Sequence, residues 1–330
     1  MRILYIYRNS QMGYSIEKVF RPIENEMKKN AEVDSVELPI PNHKLKGLYY
    51  NIKYVRNLIF NKQYDIVHIT GSEYYLIPFL RSPFLRSQKV VVTIHDIGFF
   101  VNERDVIKKI WKYIMFVFPL NFAIYKFFIS DKSRRECANY LMLRSNSVVI
   151  PNCVEDKFKY KENIIHNKPV ILQIGTKKNK NIPRVIEALK GLDVHFRIIG
   201  KLDKKTKDLL KCSNIDFSNT CGLTDEEILK EYYNCNIVSF PSLYEGFGMP
   251  IIEGQATGRV VVTSDIKPMN EIAGPNSVIL VNPYSINSIR NGFVKAIGIP
   301  LNVINLGIIN SSRFSVKNIS KLYYNIYNSI

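Results

Sequence analysis

Two glutamates eight positions apart, Glu245 and Glu253, bracket a glycine-containing loop in PSLYEGFGMPIIEGQATGRVVVTSD, residues 241–265. Gly246 and Gly248 let the backbone turn tightly and come close to a ligand. Pro250 suits the first turn of a helix, so a helix is expected to begin near it, with Glu253 in that first turn. The apolar run NIVSFPS at 236–242 reads as the strand that leads in. Two carboxylates would then flank a glycine loop at a helix N-terminus, beyond the carboxyl edge of a parallel sheet. Ligands of open α/β sheets bind at that edge, and the unpaired N–H groups of a helix start attract phosphate. Taken singly, Glu253 reads as a helix-dipole carboxylate and Glu245 as an exposed loop acid.

Other residues have the types such a ligand needs. His95 follows the buried run KVVVTI and precedes Asp96. PVILQIG, 169–175, ends in Gly175 and opens into a loop with Lys177, Lys178 and Lys180. An ammonium group there would favour phosphate oxygens. Gly13 lies in the polar loop RNSQMGYS after the first strand. Neither a His/Cys metal spacing nor an Asp-x-Asp pair is visible, so no metal and no cofactor is expected.

The elements that must hold these residues fall into two similar series. Strands are expected at 2–7, 35–38, 66–70, 90–94, 127–130 and 147–150, several as continuous apolar runs of the kind parallel strands show when buried on both faces. Ile16, Val19, Phe20, Ile23 and Met27 share one helical face after the first strand. The pattern restarts with strands at 169–175, 195–199, 236–242, 259–265 and 277–283 and a helix over 183–189. This alternation is that of doubly wound α/β domains, and 330 residues suffice for two of them. The charged stretch KFKYKENIIHNKP marks the expected boundary, giving segments 1–165, 166–305 and a C-terminal helix in 306–330.

Forty-six Lys and Arg against 29 Asp and Glu give a formal net charge of +17, spread over both segments. Such a field attracts polyanions: phosphorylated small molecules, anionic membrane or nucleic acid. Five scattered cysteines without a C-x-x-C motif fit a reducing cytosol. Met1 runs directly into a strand, so no signal peptide is expected. The longest apolar stretch, 111–129, contains Lys112, Pro119, Asn121 and Lys126 and makes a poor membrane span.

The 241–265 stretch closely resembles the E-x7-E signature of retaining glycosyltransferases of family 4, with the GT-B fold. Other segments resemble the family in the same order: His95-Asp96, Gly175-Thr176, Lys180-Asn181, Pro151-Asn152-Cys153-Val154, the stretch 217–242, and 313–327 as a C-terminal helix. The resemblance implies two Rossmann-like domains facing across a cleft, an N-terminal acceptor domain and a C-terminal donor domain, with the last helix crossing back to the first domain. It implies sugar transfer from a nucleotide-diphosphate sugar, with retention, to a hydroxyl of a glycan or lipid-linked acceptor, in surface polysaccharide biosynthesis. Glu245 and His95 would be the catalytic residues. Gly13, Gly175, Lys180, Leu223, Phe247, Gly248, Met249 and Glu253 would bind the donor: Lys180 its diphosphate, Glu253 the ribose, Leu223 the base side. Asn179 stands where many relatives carry an arginine, which removes a second cation from the diphosphate clamp.

Rival readings are weaker. A dinucleotide oxidoreductase lacks G-x-G-x-x-G after the first strand. A non-catalytic nucleotide-sugar-binding subunit, or another enzyme of this fold such as an epimerase, shares the architecture, but the intact Glu245, Glu253 and His95 set argues against decay. No nucleic-acid-binding module is recognisable. The basic-aromatic stretches 43–60 and 107–118 read either as surfaces resting on an anionic leaflet or as buried helices with snorkelling lysines. A cytoplasmic protein, peripheral on the inner membrane face, is the expectation.

Overall fold

The β-branched and aromatic runs become parallel strands. The computed structural model describes every residue except 13–14, 42–44, 81–87, 102, 142, 144–145, 165 and 299–300. It forms two compact units, Met1–Cys153 with Val316–Ile330, and Val154–Ser315.

In the first unit, β1 (Arg2–Tyr7), β2 (Glu32–Glu37), β3 (Ile66–Ile69), β4 (Lys89–Ile94), β5 (Tyr125–Phe128) and β6 (Ser147–Val149) make one sheet in the order β2-β1-β3-β4-β5-β6. Every pairing is parallel. β5 begins two residues before the expected run. Its tail, Ser130, instead caps the helix Asp131–Ala138 in a reciprocal box with Ser133, which satisfies two otherwise unpaired donors. The last helix, Val316–Ser329, belongs to this unit. Tyr323 packs its ring 5.8 Å from Phe20 of the helix Ser15–Met27 and 4.9 Å from Phe127 of β5. Tyr327 places its hydroxyl 2.5 Å from Nδ1 of His68, a core residue whose Nε2 meets Thr93 Oγ1 at 2.8 Å. The C-terminal helix thus returns to the N-terminal sheet, as the family resemblance of 313–327 implied.

In the second unit, β7 (Val170–Ile174), β8 (His195–Ile199), β9 (Asp216–Thr220), β10 (Ile237–Phe240), β11 (Val260–Ser264) and β12 (Ile279–Val281) form a second parallel sheet, ordered β9-β8-β7-β10-β11-β12. β9 was not legible from sequence: DFSNT is polar because it is the sheet's edge. Residues 154–164 pack with this unit. Arg259, almost wholly buried, donates through Nη2 to Lys161 O at 2.6 Å, and Asn236 Nδ2 donates to Ile164 O at 3.1 Å. These bonds draw the charged stretch itself into the second unit.

Candidate active site

Strand order alone locates one favoured place in the second sheet. Successive strands leave β7 in opposite directions, with β8 on one side and β10 on the other. The carboxyl edge between β7 and β10 is therefore the topological switch point of this sheet, the place where ligands of open α/β sheets bind. Those two loops carry Lys180 and Glu245.

Lys180 Nζ donates to Glu245 Oε1 at 2.7 Å, with about 16% and 15% of the two side chains exposed. The lysine stem crosses the face of Phe240, Nζ lying 4.6 Å from the ring centroid, a favourable cation–π placement. Gly175 leaves room for that stem. It takes φ +87°, and a Cβ there would stand 3.1 Å from Lys180 Cε. Asn179 ties the two loops together. Its Nδ2 donates to Glu245 Oε1 at 3.1 Å and to Tyr244 O at 2.9 Å, while its carbonyl accepts from Leu243 N at 2.8 Å. Asn181 does the same two positions later. It is buried, takes the left-handed conformation at φ 62°, and donates from Nδ2 to Pro241 O and Pro283 O at 3.0 and 2.7 Å. Asparagine tolerates this conformation better than most residues.

Beyond Glu245 the chain turns through Gly248 at φ +137° into the helix Met249–Ala256. Phe247 is buried against Phe314. The expected placement of Glu253 in the first helical turn is corrected: the helix begins at Met249 with Pro250 one step inside, and no acid lies in its first turn. Gly248 caps it because only glycine readily takes that φ, so the helix starts earlier than proline suggests. The Glu253 carboxylate lies farther along and accepts from the buried Tyr232 hydroxyl at 2.6 Å. Tyr232, from the helix Asp225–Asn234, was missed in the sequence because a tyrosine in an amphipathic helix reads as core. Leu223 lies half-buried in the loop between β9 and that helix. Among the described residues, no three His, Cys, Asp or Glu side chains gather as a metal site.

In the first unit, His95 follows β4. Its Nε2 lies 2.9 Å from Thr70 O. A carbonyl only accepts, so Nε2 carries the proton and Nδ1 has the lone pair. Burial brings His95 down to about 4, against a smaller raising effect of the Thr70 bond, so the ring is neutral at physiological pH. Near it are groups the sequence did not flag. Arg8 grips Glu17 through Nη2 at 2.7 Å and Nε at 3.1 Å. Glu73 is buried, and burial raises its carboxyl to about 8 despite Arg8. A Cβ on Gly71 would meet Arg8 Cγ at 2.9 Å and Glu73 Oε2 at 3.0 Å, so these groups close on one another. Gly13 lies outside the described residues.

The second unit thus brings Gly175, Lys180, Glu245, Phe247, Gly248, Met249 and Glu253 onto adjacent loops and one helix; His95 belongs to the other unit. Residues 154–300 match the family model for glycosyl transferases group 1, and residues 15–158 match that for glycosyltransferase family 4. The chain belongs to the group 1 glycosyltransferases. Its fold is that of GT-B enzymes. Sucrose-phosphate synthase from Thermosynechococcus elongatus superposes with a TM-score of 0.81 at 16% identity, over 100% of this chain and 98% of that one. Anabaena HepE, solved with UDP and glucose, gives 0.78 at 17% identity, over the whole of both chains. In sequence, this glycosyltransferase is 27% identical over 170 residues to an MMP alpha-(1->4)-mannosyltransferase of Mycolicibacterium hassiacum, a stretch covering 48% of this chain and 41% of the relative. It is 26% identical over 216 residues to the O-antigen chain mannosyltransferase RfbU of Salmonella typhimurium, covering 61% of this chain and 58% of that one. The chain thus spans less than two thirds of the length of these curated relatives.

Proposed function

We propose that this glycosyltransferase moves a sugar, with retention, from a nucleotide-diphosphate donor to a hydroxyl of a glycan or lipid-linked acceptor in surface polysaccharide assembly. The observation that carries the reading is the Lys180–Glu245 pair at the β7/β10 switch point, beside the N-terminus of Met249–Ala256. Transfer leaves negative charge on the departing diphosphate and positive character on the anomeric carbon. An ammonium and a carboxylate 2.7 Å apart offer a partner to each. Lys180 would bridge the diphosphate and Glu245, with helix N–H groups on the phosphate oxygens. Glu245, with the N–H groups of Phe247 and Gly248, would hold the sugar; Glu253, steadied by Tyr232, would accept from the ribose hydroxyls. Gly13, Leu223 and Met249 complete the donor set. The O-antigen and UDP-bound relatives support a nucleotide-sugar donor and a glycan acceptor.

In this reading the anomeric carbon–oxygen bond breaks with its electron pair going to the β-phosphate. The acceptor oxygen bonds to the same face of the carbon, and its proton passes to the departing phosphate. His95, neutral and with Nδ1 as an acceptor, suits hydrogen bonding to a sugar hydroxyl rather than charge pairing with phosphate. Positive charge comes from Lys180 and backbone dipoles, so the reaction is proposed to need no divalent metal. Net charge +17 supports work at the cytoplasmic face of an anionic membrane.

Thermal-shift titration with UDP, GDP, ADP, dTDP and their sugars tests the donor class, since a ligand of the folded state raises its apparent stability. Glu245→Ala should abolish transfer while the free nucleoside diphosphate still binds. Undiminished turnover in that variant would remove Glu245 from the site, and binding without turnover in the wild type would point to a non-catalytic subunit.

A further inference from the structure

Residues 106–122 form one run of tight turns: the helix Val106–Lys112, a wide π-type turn Tyr113–Val117 and a 3-10 segment Phe118–Phe122. Its far end is anchored, with Val117, Pro119 and Leu120 buried. Its near end is not: Val106–Lys112 buries none of its residues. Ile107 is 80% exposed, Ile110 56% and Ile114 55%, and Trp111 and Phe118 are exposed with them. Positions 107, 110, 111, 114 and 118 follow helical spacing, so they form one stripe. A surface helix ordinarily turns such a stripe inward; this one faces out, and exposed apolar surface of that extent marks an interaction site.

The surrounding charge says which kind. Arg104, Lys108, Lys109 and Lys112 stand against Glu103 and Asp105, a net +2 over 103–122. In the same unit, the helix Leu45–Asn61 has no acidic residue and exposes Tyr49, Tyr50, Tyr54 and Phe60 among Lys46, Lys53 and Arg56. The short helix Ile77–Leu80, with Phe79 exposed, lies against both that helix and Phe118–Phe122. Protein–protein interfaces are depleted in lysine. Apolar stripes edged by lysines, with Trp and Tyr among them, are instead the make-up of helices lying in a lipid interface.

We propose that Ile107, Ile110, Trp111, Ile114 and Phe118 insert into the headgroup–acyl boundary of an anionic bilayer, with Lys108 and the basic face of Leu45–Asn61 against its headgroups. The inference rests on the proposed function only in giving this contact a purpose, namely reaching a lipid-linked acceptor; the contact itself stands on the exposed stripe.

Trp111 is the chain's single tryptophan, so its emission reports the contact directly. Phosphatidylcholine vesicles with and without phosphatidylglycerol are titrated into the full-length protein, and sedimentation is measured in parallel. Expected are a blue shift and co-sedimentation that need phosphatidylglycerol and weaken with salt. Ile107→Glu/Ile110→Glu, which keeps the tryptophan, should weaken vesicle binding by roughly tenfold or more. Lys108→Gln should weaken it by about fivefold at low salt only. Both sites are exposed, and an unchanged thermal shift with UDP or GDP would show that the variants fold. The proposal is overturned if Trp111 emission ignores anionic vesicles, if the double variant binds as tightly as wild type, or if the stripe's loss dissolves a dimer while leaving vesicle binding unaltered. A protein that docks on vesicles yet shifts with no nucleotide would sink the transferase reading and leave the docking intact.

Discussion

At the residue scale, the proposed site centres on the Lys180–Glu245 ion pair, to which Asn179 donates a hydrogen bond. Glu245→Gln preserves shape but removes the charge opposite Lys180. Turnover should fall about 10²–10³-fold, the cost of losing one well-placed electrostatic partner, while nucleoside diphosphate affinity moves far less; a comparable loss of both would make Glu245 a general binding residue. Asn179 gives a sharper test. Asn179→Ala removes two donated hydrogen bonds and should lower kcat by roughly an order of magnitude, at about 1 kcal/mol per bond. Asn179→Asp sets a carboxylate against Glu245 and should be worse than alanine, because like charges at hydrogen-bond distance repel. Equal activity in the two variants would mean that the Asn179–Glu245 contact does not matter. Tyr232→Phe deletes the hydroxyl that Glu253 holds and should weaken nucleotide binding several-fold in calorimetry, by about 1 kcal/mol.

At the scale of elements, strand order places the candidate site and hydrogen bonds between the loops hold it. β7 and β10 run side by side, Val238 opposite Leu172, and Asn181 ties the loop after β7 to those after β10 and β12. Asn181→Ala loses both donated hydrogen bonds and the one accepted from Arg184 Nη1, and puts an alanine at φ 62°; about 2–4 kcal/mol of stability should go with it. Asn181→Gly relieves the backbone strain but not the lost bonds, so denaturant unfolding should place it between wild type and alanine. If glycine matched wild type, the cross-links would contribute nothing. At Gly248, a Cβ would lie 3.0 Å from Ile251 Cδ1 and the backbone sits at φ +137°. Gly248→Ala should therefore disturb the helix start that faces the proposed diphosphate, raising KM for the donor.

At the scale of the whole molecule, two buried groups, His68 and Glu73, and the half-buried His95 give stability a maximum in pH. An unfolded histidine takes up its proton near 6.5, whereas burial holds folded His95 neutral down to about 4 and His68 to about 3. The stability gained by keeping them neutral is complete above about 6.5 and is lost as pH falls toward 4. Glu73 acts in the opposite sense. Its folded carboxyl keeps the proton up to about 8 while the unfolded one releases it near 4.5, so stability also declines as pH rises toward 8. The thermal midpoint should peak at about pH 6–7. Glu73→Gln should flatten the alkaline side between about pH 6.5 and 8; an unchanged slope there would show that Glu73 ionises inside the fold.

Much of this was written in local chemistry. Apolar runs such as KVVVTI and RVVVTSD determined strands, because parallel strands buried on both faces have nowhere to put polar residues. E-x7-E with its glycines determined the carboxylate loop, since positive φ and close backbone approach need glycine at particular positions. The sequence could not show what depends on which strands become neighbours. The switch point exists because β7 and β10 are adjacent although two strands separate them along the chain. That adjacency brings Asn179 and Lys180 onto Glu245, 66 and 65 residues away. It is long-range packing, likewise, that buried Glu73 and His68 and left Ile107 and Ile110 in water, for the same types of residue elsewhere in the chain met the opposite fate.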